Sequence, residues 1–455
     1  MALMATLTRE LLWITAIAIM ISNVDDLAID ALWLFGVALR PAPTLPPAPE
    51  IPGRYAILIP AWDEAAVIAA MLRALVDTLD HPDYAVFVGV YPNDQATAFA
   101  VATLADPRIV TVTTSAPGPT TKADCLNHLW RAALAHEVAS GRCFSAIVLH
   151  DAEDVVHPDE LRLFDRHMPA LAMVQLPVVP FPDPASRWVA GHYLDEFAQN
   201  HSKDMMVRAL LGTAVPSAGV ATAIDRNALE RLAAGSSSPF DETSLTEDYE
   251  IGHKLHHMGL DGRMIRHRIE GRLVATREYF PATLEAAVRQ KSRWLTGIAL
   301  SGWDRLGWEG GLAARWMLLR DRKGLFTAAI AVVAYAALAL VLAQLALRAL
   351  VADAAGIELP PLILESGNPA LPAFLLFNAA LLIWRLLLRC AFTGHEHGLL
   401  EGLRAIPRAI VANLINALAA WRAVHRYREA LLSGQRPAWD KTAHRFPTAA
   451  VSSHG

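Results

Sequence analysis

Leu149-His150-Asp151-Ala152-Glu153-Asp154-Val155-Val156-His157-Pro158 sets three carboxylates within four positions, directly after the apolar run Ala146-Ile147-Val148-Leu149. That run is short, wholly apolar and partly β-branched, which fits a buried parallel strand. Ligands of open α/β sheets bind beyond the carboxyl ends of the strands. Asp151, Glu153 and Asp154 would then crowd at the mouth of a sheet, where their mutual repulsion calls for a cation. A solvated acidic turn ahead of a helix starting near Pro158 fits the same spacing. The chain on either side weighs between the two.

Upstream the pattern repeats. Tyr55–Ile59 reads as a strand closing on Pro60-Ala61-Trp62-Asp63-Glu64, Ala65–Leu79 has helical period, and Ala85–Val90 is a second strand closing on Pro92-Asn93-Asp94. A helix over Thr97–Ala105, a strand over Ile109–Thr113, a helix over Lys122–Glu137 and the strand Ser145–Leu149 complete the series. Strands alternating with helices predict an α/β fold with a parallel, doubly wound sheet. Three of these strands end on acids, a repetition that an accidental acidic turn does not explain.

The remainder is too apolar for a soluble protein. Hydrophobic residues make up 54% of the 455, mean hydropathy is +0.29, and the excess sits in a few segments. Leu11–Ile21 and Ala31–Leu39 flank Asn23, Asp25, Asp26 and Asp30, and lack a signal-peptidase pattern, so they predict an uncleaved membrane segment at 1–40. A helix over that length exceeds the roughly 30 Å hydrocarbon core, so the acids lie near one interface or face protein. Asp26 and Asp30, four apart, share a helix face. A proline-rich linker at 41–54 leads into the domain at 55–316, and Leu325–Leu347 and Leu371–Leu388 within 317–390 are long enough to span. Arg315, Arg320, Arg322, Lys323, Arg389, Arg404 and Arg408 flank these spans, while Asp353, Glu358 and Glu365 lie between them. The positive-inside rule therefore places the domain and C-terminus in the cytosol. Leu403–Val424, holding Arg404, Pro407, Arg408, Asn413 and Asn416, reads as an amphipathic interfacial helix, followed by a tail to 455.

Charge and motif content narrow the chemistry. A net charge of −5 argues against nucleic acid as partner. Cys125, Cys143 and Cys390 are scattered and have no ligand spacing. Neither a Walker-type phosphate loop nor a Gly-x-Gly-x-x-Gly run after a strand is present, which weakens ATPase and dinucleotide readings. His253, His256 and His257, and His395-Glu396-His397, do not make a four-ligand zinc pattern and read as ordinary polar histidines. A carboxylate-held Mg²⁺ or Mn²⁺ on a diphosphate is the economical use left for Asp151 with Glu153 or Asp154.

The ordered set Pro60-Ala-Trp-Asp-Glu64, Asn93-Asp94, Lys122-Ala-Asp124, Asp151-Ala-Glu-Asp154, Thr246-Glu-Asp248 and Gln290-Lys-Ser-Arg-Trp294 resembles the motifs of the membrane-bound family-2 inverting glycosyltransferases, the group of cellulose and hyaluronan synthases. Further similarity, over Asn23–Asp30, Gly118–Asn127 and Trp439–Phe446, is to a branch named for phage adsorption. The resemblance implies a GT-A-type α/β nucleotide-diphospho-sugar transferase domain, with a mostly parallel sheet, flanked by transmembrane helices of a bacterial inner membrane. It implies that Glu64 and Asp94 contact the uridine of a UDP-sugar, with Lys122 and Asp124 near the ribose and diphosphate. Asp151 with Glu153 would occupy the Asp-x-Asp positions that hold the metal; the glutamate departs from that pattern, and Asp154 could share the role. Asp248 would be the general base, and Gln290, Arg293 and Trp294 would close over the diphosphate and frame the acceptor.

Physical chemistry bears on the same residues. Inverting transfer needs a carboxylate opposite the leaving group, a neutralised diphosphate, a planar cation for phosphate oxygens and a flat face for a sugar ring. Asp248 as a helix-cap acid, and Arg293-Trp294 as an interfacial anchor, are the plainer alternatives. The acceptor would be a growing polysaccharide or a lipid-linked saccharide. With few helices for a channel, polymer export would call for homo-oligomers or an outer-membrane export partner. A non-enzymatic phage-receptor or secretion-coupling component is the reading from another class.

Overall fold

The computed structural model describes residues 2–41, 44–168, 170–235, 238–352, 369–434 and 445–447. The acids of the 353–365 loop and most of the Trp439–Phe446 segment lie outside them. In chain order the elements are α1 (Ala2–Trp33), β1 (Tyr55–Pro60), α2 (Ile68–Thr78), β2 (Tyr84–Val90), α3 (Gln95–Ala102), β3 (Ile109–Thr113), α4 (Lys122–Ser140), β4 (Ala146–Leu149) and α5 (Glu160–His167). Then come β5 (Met173–Gln175), α6 (Gly191–Gln199), α7 (Met205–Leu210), β6 (Thr222–Asp225), α8 (Arg226–Ala234), α9 (Glu247–His257), β7 (Gly262–Met264), the two-residue strands β8 (Arg268–Ile269) and β9 (Arg272–Leu273), and α10 (Leu284–Leu295). Last are α11 (Gly302–Leu306), α12 (Leu312–Arg322), α13 (Gly324–Ala352), α14 (Ala370–His397) and α15 (Leu399–Ser433).

Seven strands form one sheet in the order β3-β2-β1-β4-β6-β5-β7. β3, β2, β1 and β4 are parallel, β6 runs antiparallel to both neighbours, and β5 and β7 are parallel. The sheet is therefore mostly parallel, with one reversed strand that the apolar runs did not announce. The period-2 geometry of a strand sends alternate residues to opposite faces. Tyr55, Ile57 and Ile59 pack with Ile68, Met71 and Leu72 of α2, whereas Ala56 and Leu58 pack with Cys125, Leu126 and Leu129 of α4. Both faces are covered, so β1 is apolar throughout. β2, β1 and β4 are adjacent, which gathers at one edge the loops after them, where the acids lie.

Among the described residues four helices are long and apolar enough to cross a membrane: Leu3–Ala38, Gly324–Leu350, Ala370–His397 and Leu399–Ser433. The acids near the N-terminus do not break the first of these. Asp26 meets Lys323 at 2.8 Å and Arg320 at 3.2 Å, and buried Asp30 pairs with Lys203 and accepts from Trp384 at 2.9 Å. Cations and an indole from other elements let the acids sit in one continuous helix. The segment read as interfacial, 403–424, belongs to a single 35-residue helix. Pro407 falls inside it, and its length and apolarity meet those of a span.

A buried ion pair ties α15 to the domain. Arg408 donates from Nε at 3.0 Å and Nη2 at 2.7 Å to Asp195 of α6, and Thr393 of α14 donates to the same carboxylate at 3.1 Å. Both charged groups are fully buried, and the bidentate fork fixes the register of three helices.

Candidate active site

The acids converge because β1, β2 and β4 end side by side. After β1 the chain turns through Trp62, which meets Tyr91 edge-to-face at 5.1 Å, and through Asp63 at φ 53°, whose amide donates to Asp94 Oδ2 at 2.6 Å. Asp94 also caps α3 by accepting from the Thr97 amide at 3.1 Å. Its carboxylate thus holds two loops together. Glu64 is 6% exposed, its amide bonded to Thr97 Oγ1 at 2.9 Å.

After β4, His150 is 1% exposed and lies between two buried carboxylates, 2.8 Å from Asp154 Oδ2 and 2.7 Å from Glu160 Oε1. Burial opposes its charge, but Glu160 and Asp154 outweigh burial and raise the imidazole to about 10. Asp154 Oδ2 also accepts the Asp151 amide at 3.0 Å. Asp154 is therefore turned inward to stiffen the loop and does not line the cavity, whereas Glu153 does. Removing the cation leaves two buried carboxylates uncompensated, so His150→Ala is expected to lose ~3–5 kcal/mol, read from denaturant midpoints. The raised pKa sets the sign. The stabilisation is full below about pH 6.5 and is lost as pH rises through about 10. A midpoint independent of pH over that range would contradict it.

A cavity of about 110 Å³ lies beyond these strand ends. Glu64, Lys122, Asp151, Glu153, Asp248, Gln290, Arg293 and Trp294 all line it. Asp94 and Asp124 lie outside the lining: Asp94 is the loop staple just described, and Asp124 sits in the first turn of α4, 3.6 Å from His128. Lys122 Nζ is 2.6 Å from Asp151 Oδ1 and 3.4 Å from the Gly219 carbonyl. Burial disfavours its charge, but Asp151, Glu247 and Asp248 together raise its pKa. Lys122 is thus the cation at the centre of the acid cluster.

Asp248 and Glu247 open α9. Burial raises both carboxyls; repulsion from Asp248 adds to this for Glu247, which reaches about 7. Asp248 rests on Gly219, at φ +78°, where a Cβ would fall 2.5 Å from Asp248 Oδ2. Only glycine supplies both that φ and that space. Gln175, 1% exposed, holds the glycine loop by accepting from Ala218 N at 2.7 Å and Thr222 Oγ1 at 2.6 Å and donating to the Val220 carbonyl at 2.9 Å. Neither Glu247 nor Gln175 was singled out from the sequence. Glu247 could have been, because it lies inside the Thr246-Glu-Asp248 motif; Gln175 leaves no local signal, since its partners in the glycine loop are 43 to 47 residues away.

α10 starts at Thr283, which caps the Ala286 amide at 3.3 Å, and it presents Gln290, Arg293 and Trp294 on one face. Trp294 is held edge-on by Tyr193 at 6.1 Å and Phe197 at 6.4 Å, with Phe280 stacked on Tyr193 at 4.6 Å. Gly297, in the π-helical turn that follows, meets Thr246 so closely that a Cβ would lie 2.5 Å from its side chain. α10 and the Asp248 motif are thereby locked together. Gln290 Oε1 and Arg293 Nε are buried with no hydrogen-bond partner among the described residues. Buried polar atoms left open at a cavity fit an oxygen-rich ligand.

Among the described residues no three acid, histidine or cysteine groups are arranged to hold a metal. Mg²⁺ and its relatives are commonly held by one or two carboxylates plus substrate phosphates. Asp151, one-third exposed at the cavity, and Glu153 beside it suit that donor set. His253 is buried against Tyr249, ring centroids 4.7 Å apart, and Glu396 pairs with Arg266.

A mostly parallel sheet with acids at its strand ends, an α10 cation and aromatic, and four span-length helices define a membrane glycosyltransferase fold. The chain belongs to the glycosyltransferase-like family 2, whose profile matches residues 52–297. It is 36% identical, over 95% of its length, to bacteriophage adsorption protein B of Escherichia coli K12 and to bacteriophage N4 adsorption protein B of Escherichia coli O157:H7. It spans 61% of the length of these relatives. Among solved structures, it is similar to the mannosyltransferase PcManGT from Pyrobaculum calidifontis in complex with GDP-Man and Mn²⁺, with a TM-score of 0.54 at 17% identity, over 87% of this chain and 99% of that one. That likeness shows a shared fold.

Proposed function

We propose that the protein is an inverting glycosyltransferase that moves a sugar from a UDP-sugar to a hydroxyl of a growing cell-surface saccharide, from a domain on the cytosolic side of a bacterial inner membrane. The observation that carries this is the convergence, on one cavity, of two separate acid sets with Lys122 interacting with both and Arg293 on the same lining. One set suits a diphosphate and the other a hydroxyl. Asp248 accepts the proton of the incoming hydroxyl while the oxygen attacks the anomeric carbon and the bond to the diphosphate breaks. Lys122, Gln290 and Arg293 bind the departing phosphate oxygens, Glu64 lies towards the nucleotide, and Asp94 and Asp124, outside the cavity lining, act on it through the loops they hold. Asp151 and Glu153 would hold Mg²⁺ or Mn²⁺, which supplies charge neutralisation on the diphosphate. The fold neighbour's complex with GDP-Man and Mn²⁺ supports a nucleotide-sugar donor and a divalent metal. A purely adhesive role, suggested by the relatives' names, gives no physical reason for open buried polar atoms at the cavity.

The test is release of UDP, and of labelled product, by the purified protein from a panel of UDP-sugars with and without Mn²⁺. No turnover of any donor would defeat the proposal. Glu247, raised to about 7, and Asp248 together retain a proton below neutrality. Burial raises the Asp248 carboxyl, so the base is protonated at low pH, and kcat/KM is expected to rise with pH as it ionises and then level off. In Glu247→Gln the rise shifts to lower pH; an unchanged profile would exclude the shared proton.

A further inference from the structure

A second cavity, of about 700 Å³, lies between α1, α13, α14, α15 and the domain, and shares Trp294 with the first. Ile19, Ile330, Ala331 and Leu382 give it apolar walls. Its acids are engaged: Asp26 by Lys323, Glu196 by Lys291 and Asp321 by Arg208. Its cations are not all matched. Arg385 and Arg389 lie four apart on α14 and both line the cavity. Arg385 reaches Asn23 at 3.1 Å and Asp26 at 3.3 Å. No hydrogen bond or salt bridge among the described residues reaches the Arg389 guanidinium, because the nearby acids Asp195 and Glu196 are taken by Arg408 and Lys291. Like charges at this spacing repel. An arginine within a membrane helix is costly unless something in its cavity answers it.

From this we infer that the cavity binds an amphiphile with a phosphate or diphosphate headgroup, held by Arg389 and Arg385, its chain lying along the apolar walls. Guanidinium forks match phosphate oxygens, and the apolar lining matches an alkyl or isoprenyl chain. Trp294 lines both this cavity and the transferase pocket, so a saccharide attached to such a headgroup would point its terminal hydroxyl towards Asp248. That the amphiphile serves as acceptor rests on the glycosyltransferase reading; that it binds does not.

Binding of farnesyl monophosphate and of farnesol to the full chain in zwitterionic nanodiscs tests this directly. Wild-type protein is expected to bind the phosphate at least tenfold more tightly than the alcohol. Arg389→Gln is expected to erase that preference, and Arg389→Lys to keep part of it. Inorganic phosphate at the same concentration should not compete; full competition would mean a free-phosphate site and would overturn the lipid assignment. Equal binding of phosphate and alcohol, or a preference unchanged in both Arg389→Gln and the Arg385→Gln/Arg389→Gln double variant, would also overturn it. UDP binding, measured on the same samples, reports that each variant is folded. UDP release without phosphate-selective lipid binding defeats only this inference, whereas selective lipid binding with no UDP release from any donor defeats only the transferase proposal.

Discussion

Asp248→Asn is expected to lower sugar transfer by about 10²–10⁴-fold while changing donor affinity little, since that range is what a positioned general base contributes. The substitution keeps size and the ability to bond the Tyr249 amide, 2.7 Å from Asp248 Oδ1, so α9 should still begin where it does. In the proposed reaction, what it removes is the basic carboxylate that takes the hydroxyl proton. It also takes away one of the three carboxylates that face Lys122, so a modest tightening or loosening of UDP is tolerable, and loss of UDP binding is not. Turnover and UDP binding measured in parallel decide the matter. Wild-type turnover in purified Asp248→Asn would sink the assignment, and so would donor affinity falling in step with rate.

Asp151→Asn is expected to abolish the Mn²⁺-dependent part of donor turnover, a loss of at least about a hundredfold, and excess EDTA should do the same to the wild type. The carboxylate is partly exposed at the cavity and pairs with Lys122 at 2.6 Å. In the proposed reaction, neutralising it removes a metal ligand and frees Lys122 to approach the diphosphate. Residual metal-independent UDP binding is therefore expected to persist in the variant. A Mn²⁺ titration of UDP affinity separates the two effects: the wild type should show saturable enhancement and the variant a flat response. Full activity in EDTA would remove the metal from the proposal. Asp154→Asn should behave differently, because Asp154 bonds His150 and the Asp151 amide and does not line the cavity.

Much of the architecture could be read without coordinates, for a local reason. A strand buried on both faces must be continuously apolar, so Tyr55–Ile59, Ala85–Val90 and Ala146–Leu149 announce themselves, and their crossover helices fix parallel neighbours. The acids that follow them are likewise local, and so are Gln290, Arg293 and Trp294 on one helix turn. The reversed strand Thr222–Asp225 was not legible, because a short apolar run carries no sign of its direction. Nor was the full extent of Leu399–Ser433. Its arginines and asparagines read as an interfacial face, but Arg408 is buried against Asp195.

By itself, then, the sequence determined the α/β class, the membrane helices and the set of acids at the strand ends, since each depends on residues close in the chain. Only the tertiary structure decided which acid faces the cavity and which is spent on the scaffold. Glu153 and Asp154 are adjacent and chemically alike; what separates them is His150, pinned between Asp154 and Glu160 in a place where a carboxylate must find a partner. The unmatched Arg389 was equally invisible. Whether a charge is paired depends on acids far away in sequence, here Asp195 and Glu196, being held by other cations.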